Sequence, residues 1–202
     1  MPASINRLPT EARQAEIVAA ALRLAQNSSP ASITTTDLAR ALGLSQGALF
    51  KHFPTKEAIW LAAMAWVAEH LLGALNDAAQ QAATPLEALR GVFDAHVDFV
   101  VTHPGVPRMI FHELQQPADS PLKQQVRSLL QAYRQLLLRL LKAAVQRGDV
   151  AADLDESAAA TLFVGIVQGL VMQSMLSGQI STMQADAPRI FHLYLRGIRS
   201  TS

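Results

Sequence analysis

Residues 34–53 read TTTDLARALGLSQGALFKHF, and this run constrains the fold more than any other part of the chain. Thr34, with Asp37 three positions later, is a capping pattern that predicts the start of a helix. Gly43 suits the left-handed residue that follows a helix, and Ser45 suits the cap of a second short helix. The run therefore predicts two short helices joined by a tight turn.

The rest of the chain also favours helices. No run alternates apolar and polar residues long enough to predict a strand, whereas helical periodicity is nearly continuous. Half of the 202 residues are apolar and only 16% are charged, which is typical of helices packed on helices. Caps and helix breakers predict about nine helices, with a long fourth helix over about 55–81 and Pro188 near the start of the last one.

We therefore expect an all-α fold of two domains. Residues 1–54 are predicted to form a three-helix, helix-turn-helix domain, and residues 55–202 a larger helical domain. Residues 1–56 carry six Lys or Arg and three acids, whereas residues 57–202 carry eleven Lys or Arg and thirteen acids. A basic N-terminal part on a slightly acidic body is typical of a protein that binds DNA through its N-terminus.

The second short helix has two chemically different faces. Leu49 and Phe53 lie on an apolar face that is suited to a small core with the preceding helices. A glutamine amide pairs with adenine, glycine admits close backbone approach, and lysine binds phosphate. The opposite face therefore predicts a helix that enters the major groove. Its residues are Gln46, Gly47, Phe50 and Lys51.

The run from Thr34 to Glu57 resembles the TetR/AcrR family of transcription regulators. The residues that carry the resemblance are Thr34, Asp37-Leu38-Ala39, Leu42-Gly43-Leu44-Ser45, Gly47-Ala48-Leu49-Phe50, His52-Phe53 and Lys56-Glu57. The resemblance covers about residues 10–60. It implies an all-helical homodimer with N-terminal DNA-binding heads and a C-terminal body that binds a ligand and dimerises through its last two helices. Most members are repressors that a small hydrophobic ligand releases from DNA by tilting the long fourth helix.

The resemblance also assigns roles to single residues. It places base contacts at Gln46 and Gly47. It places phosphate contacts at Thr35, Thr36, Phe50, Lys51, His52 and Lys56, and Ser45 completes the predicted DNA-binding set. The family usually has tyrosine where this chain has Phe50, whose ring has no hydroxyl for a phosphate and suits a sugar or a thymine methyl instead. The alternatives are an ordinary core or capping histidine for His52 and a solvent-facing amide for Gln46.

The C-terminal part carries more apolar residues than one helical face requires. This surplus predicts an internal pocket for a small hydrophobic or aromatic effector, with a few polar groups that orient it. For each residue, a place in a plain hydrophobic core is the alternative. The pocket candidates are Met64, Phe93, His96, Phe99, His103, Met109, His112, Tyr133, Gln168 and Met172.

Residues 157–176 form a run of small and apolar residues with Gly165 and Gly169 four positions apart, a spacing that lets helices cross closely. The alternative is a membrane span. Gln168 and Gln173 interrupt the apolar core and argue against it, so we expect no membrane partner. The dimer-interface candidates, with the last helix included, are Phe163, Gly165, Gly169, Leu193 and Tyr194.

Other functional classes find no support in the sequence. The absence of cysteine excludes disulfides, thiolate metal sites and cysteine nucleophiles. No catalytic constellation or phosphate-binding glycine loop is present, so we expect no enzyme and no cofactor. His96 and His103 share a helical face with His112 on the next helix, but neither has a ligand partner at i+4, so we expect no metal.

The sequence as a whole predicts a homodimeric, ligand-responsive repressor that binds a palindromic operator in double-stranded DNA. The polar residues 1–10 lack the apolar segment of a secretory signal, so we expect a cytoplasmic protein. Two alternatives keep the same DNA-binding helix. One is an architectural DNA-binding protein without a ligand, and the other is an activator with the same fold.

Overall fold

A computed structural model describes residues 10–199, and over that range the chain forms nine α-helices and no strand. The predicted all-α class and helix count are confirmed. Helical periodicity in the sequence predicts a first helix from about Pro9 to Gln26, and its start at Pro9 lies outside the described residues. The helices are α1 Thr10–Leu24, α2 Thr35–Ala41, α3 Gln46–Phe50, α4 Lys56–Gln81, α5 Pro85–Thr102, α6 Gly105–Leu114, α7 Pro121–Arg147, α8 Glu156–Ser177 and α9 Thr182–Ile198.

The last helix differs from the prediction. It begins at Thr182, so Pro188 lies inside it rather than near its start. Proline removes one backbone donor and normally ends a helix, but burial of one face outweighs that loss here. The residues of the buried face are Met183, Ala187, Phe191, Tyr194 and Ile198. Their spacing continues on both sides of the exposed Pro188, which accounts for the unbroken helix.

The chain divides into two compact units. The first comprises the described part of Met1–Val67 together with Gly105–Gln125. The second comprises Ala68–Pro104 and the described part of Val126–Ser202. The boundary predicted after residue 54 stays a prediction. The α6 segment belongs to the first unit although it follows α5 in the chain.

In the first unit α1 packs against α2 and α6, and α2 packs against α3. Ile17, Leu38 and Leu49 are fully buried, and burial of each such side chain contributes about 1.5–3 kcal/mol. The contact of α6 with α1 is unusually close at Gly105. A Cβ atom built there would lie 2.0 Å from the Leu22 carbonyl oxygen, so only glycine fits.

The second unit is built round aromatic rings. The Phe93 ring centroid lies 4.9 Å from that of Phe191 and 5.6 Å from that of Phe163. Phe163 also meets Tyr194 edge-on at 5.5 Å. Edge-to-face pairs contribute about 0.5–1.5 kcal/mol beyond the area they bury. These contacts join α5, α8 and α9, which pack on one another.

Among the described residues, α4 and α8 are each long and apolar enough to cross a membrane by length and composition alone. In α8 one side of the helix is occupied by Phe163, Val167 and Leu170, which are buried in the second unit. A helix that is apolar all round is common in protein interiors, so length and hydropathy are weak grounds for a membrane span.

Candidate nucleic-acid interface

The N-terminus of α2 is fixed by the capping box that the sequence predicts. The Thr34 hydroxyl accepts from the Asp37 backbone N–H at 3.1 Å, and the Asp37 carboxylate accepts from the Thr34 backbone N–H at 3.0 Å. The Thr34 hydroxyl also donates to this carboxylate at 2.6 Å. These hydrogen bonds hold the pKa of Asp37 below its ordinary value, and the one from the Thr34 hydroxyl has the largest effect. The box sets where Thr35 and Thr36 begin the helix.

The turn between α2 and α3 depends on Gly43. Its φ of +64° lies in the left-handed region, where a side chain is strained. The backbone N–H groups of Gly43 and Leu44 return to the carbonyls of Arg40 and Ala39 at 3.2 and 2.9 Å. The last carbonyls of α2 are therefore satisfied within the turn, and α3 starts at a fixed place.

Helix α3 is short and held from both ends. The Ser45 hydroxyl caps it by accepting from the Ala48 backbone N–H at 3.1 Å. Leu49 is fully buried and anchors its inner face. The backbone N–H groups of His52 and Phe53 both reach the Leu49 carbonyl, at 3.0 and 3.1 Å. This arrangement leaves the opposite face of α3 on the surface.

Gln46 is the first residue of α3, and its side chain bridges to the start of α2. Its amide nitrogen donates to the Thr35 hydroxyl and to the Thr36 hydroxyl, each at 2.9 Å. Three of the residues to which the family resemblance assigns base or phosphate contacts are thus brought together. The threonines restrict the rotamers of Gln46, so the amide is held in place on the exposed face before any DNA binds.

The neighbouring positions on α3 form an open surface. A Cβ atom at Gly47 would have no neighbour within 4 Å, so nothing in the fold requires glycine there. The Phe50 side chain is 44% exposed although it is a large apolar ring, and Lys51 is exposed beside it. An uncovered aromatic ring next to a cation suits contact with a sugar or a thymine methyl and a phosphate.

His52 and Lys56 are less available than the sequence suggests, because both are half-buried. The His52 Nδ1 atom is buried and makes no hydrogen bond within the described chain, while its backbone carbonyl accepts from Gln14 at 3.1 Å. The Lys56 ammonium donates to the Ala31 carbonyl at 2.9 Å. Burial lowers the pKa of Lys56, and the Asp37 carboxylate opposes that effect.

Several pocket candidates belong to the aromatic interior of the second unit. His96 Nδ1 lies 3.1 Å from the hydroxyl of Tyr133, which is 1% exposed. Desolvation lowers the pKa of His96 to about 4, and burial raises the pKa of Tyr133, with Tyr194 as a second cause. His103 Nδ1 lies 3.0 Å from the Phe99 carbonyl oxygen. His96 and Tyr133 are thus a polar pair within an apolar interior.

The remaining pocket candidates lie elsewhere. Met64, Met109 and His112 belong to the first unit, where Met109 and His112 line a cavity of about 370 Å³. Gln168 and Met172 lie on the exposed side of α8 rather than in the interior, with Met172 46% exposed. Their position corrects the expectation of an internal role. The buried side of α8 is formed by Phe163, Val167, Leu170 and Val171.

The dimer candidates also separate into two groups. Phe163 and Tyr194 are buried within the second unit, and the Tyr194 hydroxyl donates to the Ala159 carbonyl at 3.2 Å. Burial raises the pKa of Tyr194. Both side chains therefore belong to the interior of the second unit and do not form its exposed surface. Leu193 is 63% exposed, and Gly165 and Gly169 are exposed.

An apolar stripe on α8, which we call the α8 stripe, completes that surface. Its leucines at 162 and 176 are 53% and 75% exposed. The spacing of three and four residues keeps its members on one face of the helix. Sequence reasoning missed the leucines because α8 is apolar all round, although their spacing from the two glycines was a usable signal. The α8 stripe consists of Leu162, Gly165, Gly169, Met172 and Leu176.

Metal binding has no support in residues 10–199, where no three His, Asp or Glu side chains come together in an arrangement suited to a metal ion. The sequence also gave no indication of a buried carboxylate in α6. Glu113 is only 9% exposed and accepts a hydrogen bond from the Ser120 hydroxyl. Ser120 is half-buried and also caps α7 by accepting from the Lys123 backbone N–H at 2.9 Å.

Two family models match the chain. Residues 17–63 match the model for bacterial regulatory proteins of the tetR family. Residues 110–187 match the model for the tetracyclin repressor-like C-terminal domain. The first match contains all nine predicted DNA-binding residues, and the second contains α7 and α8.

The chain is also similar to curated relatives and to solved structures. The nucleoid occlusion factor SlmA of Vibrio atlanticus is 26% identical over 158 residues, which cover 78% of this chain and 81% of that protein. The fatty acid degradation regulator FadR from Bacillus halodurans has a TM-score of 0.82 at 18% identity, with 96% of this chain and 98% of the other covered. FadR from Bacillus subtilis in complex with stearoyl-CoA has a TM-score of 0.79 at 20% identity, with 92% and 99% covered. These structures establish the fold.

Proposed function

Because the chain belongs to the tetR family of bacterial regulatory proteins, we propose that it is a homodimeric repressor that binds a palindromic operator and leaves it when a small hydrophobic molecule binds. The family and the structural neighbours are DNA-binding transcription regulators rather than enzymes. A cytoplasmic location follows from such a role. In this proposal residues 1–54 form the DNA-binding domain and residues 55–202 the ligand-binding and dimerisation domain.

One observation carries the proposal: the exposed face of α3 presents Gln46, held by two threonines, beside Gly47, which has open space in front of it. Gln46 and Gly47 contact bases in the major groove. The other predicted residues fix the position of the helix against the phosphates. They are Thr35, Thr36, Ser45, Phe50, Lys51, His52 and Lys56.

The α8 stripe and Leu193 supply the dimer contact in this proposal. Three large apolar side chains at 46–75% exposure along one helix face are costly to leave in water. The two glycines between them let a second helix approach closely. The same face on a second copy of the chain satisfies two-fold symmetry, which a palindromic operator requires.

The effector is proposed to bind in the second unit, near His96 and Tyr133. Their polar atoms face each other at 3.1 Å within an otherwise apolar interior, so an effector with an apolar body and one hydrogen-bonding group suits them. The Bacillus subtilis relative is described in complex with stearoyl-CoA. This makes acyl compounds the first class to test.

The test is a selection of DNA from a pool of randomised duplexes with the purified full-length protein, followed by a reporter gene placed behind the enriched sequence. We expect an inverted repeat whose half-sites are about one helical turn apart, and reporter activity that falls when the protein is expressed. A pool without any enriched sequence would overturn the DNA-binding role. A reporter that rises would identify an activator instead.

A second candidate function is nucleoid occlusion, favoured by SlmA relatives such as those of Vibrio atlanticus and Vibrio cholerae, at 26% and 25% identity over 158 residues each. A protein with that role needs DNA sites spread over the chromosome. Chromatin immunoprecipitation separates the two functions. A few sites at promoters support the repressor, and many sites outside promoters support nucleoid occlusion.

A further inference from the structure

The first unit contains a cavity of about 370 Å³. It lies among the loop between α1 and α2, the first turns of α4, helix α6 and the start of α7, and all its lining residues belong to this unit. A volume of this size accommodates a small organic molecule. The cavity is distinct from the aromatic interior that contains His96 and Tyr133.

The cavity is lined by two carboxylates. Glu113 is 9% exposed, and its Oε1 atom accepts from the Ser120 hydroxyl. Glu57 lines the same space from the first turn of α4. Both carboxylates border the same open space, so their negative charges favour a positively charged occupant.

The other walls complete the binding chemistry. The Trp60 ring is 5% exposed and lines the cavity together with the apolar side chains of Met109 and Leu122. An indole face attracts cations, and the apolar walls suit a hydrocarbon body. The one lysine of the lining, Lys56, directs its ammonium to the Ala31 carbonyl at 2.9 Å. With two carboxylates against one ammonium and the imidazole of His112, the lining carries no net positive charge and favours a cation over an anion.

We propose that this cavity binds a small organic cation, an ammonium group on an apolar or aromatic body, with Glu113 as its main charged partner and Glu57 and Trp60 as supporting contacts.

The site is coupled to DNA through Lys56. This residue lines the cavity and is also a proposed phosphate contact, so this step rests on the proposed function. A bound ammonium repels the Lys56 ammonium and weakens its contact with phosphate. Because coupling between two binding equilibria is reciprocal, DNA weakens binding of the cation by the same factor.

Isothermal titration calorimetry of the full-length protein without DNA tests the site. The probes are 2-phenylethylammonium, the neutral 2-phenylethanol and the anionic 3-phenylpropanoate, which share one ring and differ in charge. We expect the cation to bind about tenfold more tightly than the neutral probe, and the anion to be the weakest. Equal affinities for the three probes, no binding of the cation, or tighter binding of the anion would overturn the proposal.

Glu113→Gln is the decisive variant, because glutamine keeps an acceptor for Ser120 and removes only the charge. We expect it to lower the affinity for the cation about tenfold and to leave that for 2-phenylethanol unchanged. Glu11→Gln, an exposed carboxylate of the same unit, is the matched control. An unchanged affinity for the cation in a Glu113→Gln protein with native thermal unfolding would assign the binding to another place.

A DNA-binding titration at saturating 2-phenylethylammonium tests the coupling. We expect weaker DNA binding in the wild type and a smaller loss in Glu113→Gln, which shows most clearly at a cation concentration near the wild-type dissociation constant. If the cation binds in the calorimeter but DNA affinity is unaltered, the coupling is overturned and the proposed cation site still stands. If the protein binds no DNA under any condition, the proposed function fails, whereas the calorimetry still decides whether the cation site exists.

Discussion

The Gln46 side-chain nitrogen lies 2.9 Å from the Thr36 hydroxyl oxygen, so the residue proposed to read a base is held by one proposed to contact a phosphate. The same nitrogen donates to Thr35 at an equal distance. Both amide hydrogens are therefore in use when DNA is absent. Bidentate pairing with adenine needs one of these hydrogens and the amide oxygen. Gln46 must exchange at least one threonine for the base when it binds.

Gln46→Ala is expected to relax the sequence preference at about one base pair in each half-site, because its amide is the group that discriminates there. The preferred base should lose about 1–3 kcal/mol of its advantage. Selection from randomised duplexes measures the change, with the exposed Gln131→Ala as control. An identical motif from the wild type and Gln46→Ala would remove Gln46 from the set of readers.

Gly47→Ala is expected to separate folding from DNA binding. The added methyl group meets nothing within 4 Å in the free protein, and alanine is the better helix former, so the free energy of unfolding should rise by up to about 1 kcal/mol. DNA affinity should fall by about 1–3 kcal/mol because the methyl group occupies the space into which the bases fit.

The matched control for that substitution is Gly73→Ala in α4, where a Cβ atom likewise meets nothing within 4 Å. Chemical denaturation and a DNA titration measure both variants. If both variants are stabilised to a similar extent and only Gly47→Ala loses DNA affinity, the result supports the close approach of α3 to DNA. Unaltered DNA affinity in Gly47→Ala contradicts it.

Lys56→Ala is expected to weaken binding to all DNA sequences alike and to lower the salt slope by about one unit, because one phosphate contact is lost. Affinities at several salt concentrations measure the slope. The exposed Lys142→Ala in α7 is the control and should leave it unchanged. If the salt slope of Lys56→Ala equals that of the wild type, the Lys56 ammonium of the wild type stays with the Ala31 carbonyl when DNA binds.

Leu176→Glu is expected to convert the dimer to a monomer. Leu176 is the most exposed large apolar side chain of the α8 stripe, and a charge there would be buried without a partner in the proposed interface. The dimer dissociation constant should rise about 100-fold, or about 3 kcal/mol. Sedimentation equilibrium measures it, with Leu130→Glu in α7 as control. Dimers of unchanged strength would place the interface elsewhere.

The depressed pKa of His96 predicts how stability depends on pH. With a pKa of about 4 in the folded protein against about 6.5 unfolded, the unfolded chain binds the extra proton between these values. The contribution of His96 to the free energy of unfolding is therefore fully present above pH 6.5. It falls by up to about 1.4 kcal/mol per pH unit as the pH is lowered towards 4. In His96→Gln the free energy of unfolding, measured by denaturation across this range, should fall less steeply with decreasing pH than in the wild type. In the exposed His192→Gln it should fall as steeply as in the wild type. Equal slopes would contradict the assignment.

Features set by neighbours in sequence were predictable. The capping box of Thr34 and Asp37 depends on three residues of chain, and the positive φ of Gly43 follows from its place after a capped helix. The inward face of α2 and α3 follows from the spacing of apolar residues, which placed Leu38 and Leu49 in the core.

Features that depend on distant parts of the chain were not predictable. The bridge from Gln46 to the threonines requires the geometry of the turn between them, which no local pattern encodes. In α8 nearly every residue is apolar or small, so periodicity did not show that Phe163 faces inward and Met172 outward. The cavity at Glu113 brings together four separate segments, and its carboxylate gave no signal in a sequence that contains sixteen acids.

The fit of Gly105 against the Leu22 carbonyl has a consequence for recombination between relatives. A chimera that takes residues 1–67 from this protein and everything else from another would place a foreign α6 against α1. Any side chain at the position of Gly105 would then force the helices apart. The transferable module is therefore two separate stretches of sequence, residues 1–67 and 105–125, and moving the DNA specificity of this chain intact requires crossovers on both sides of the second stretch.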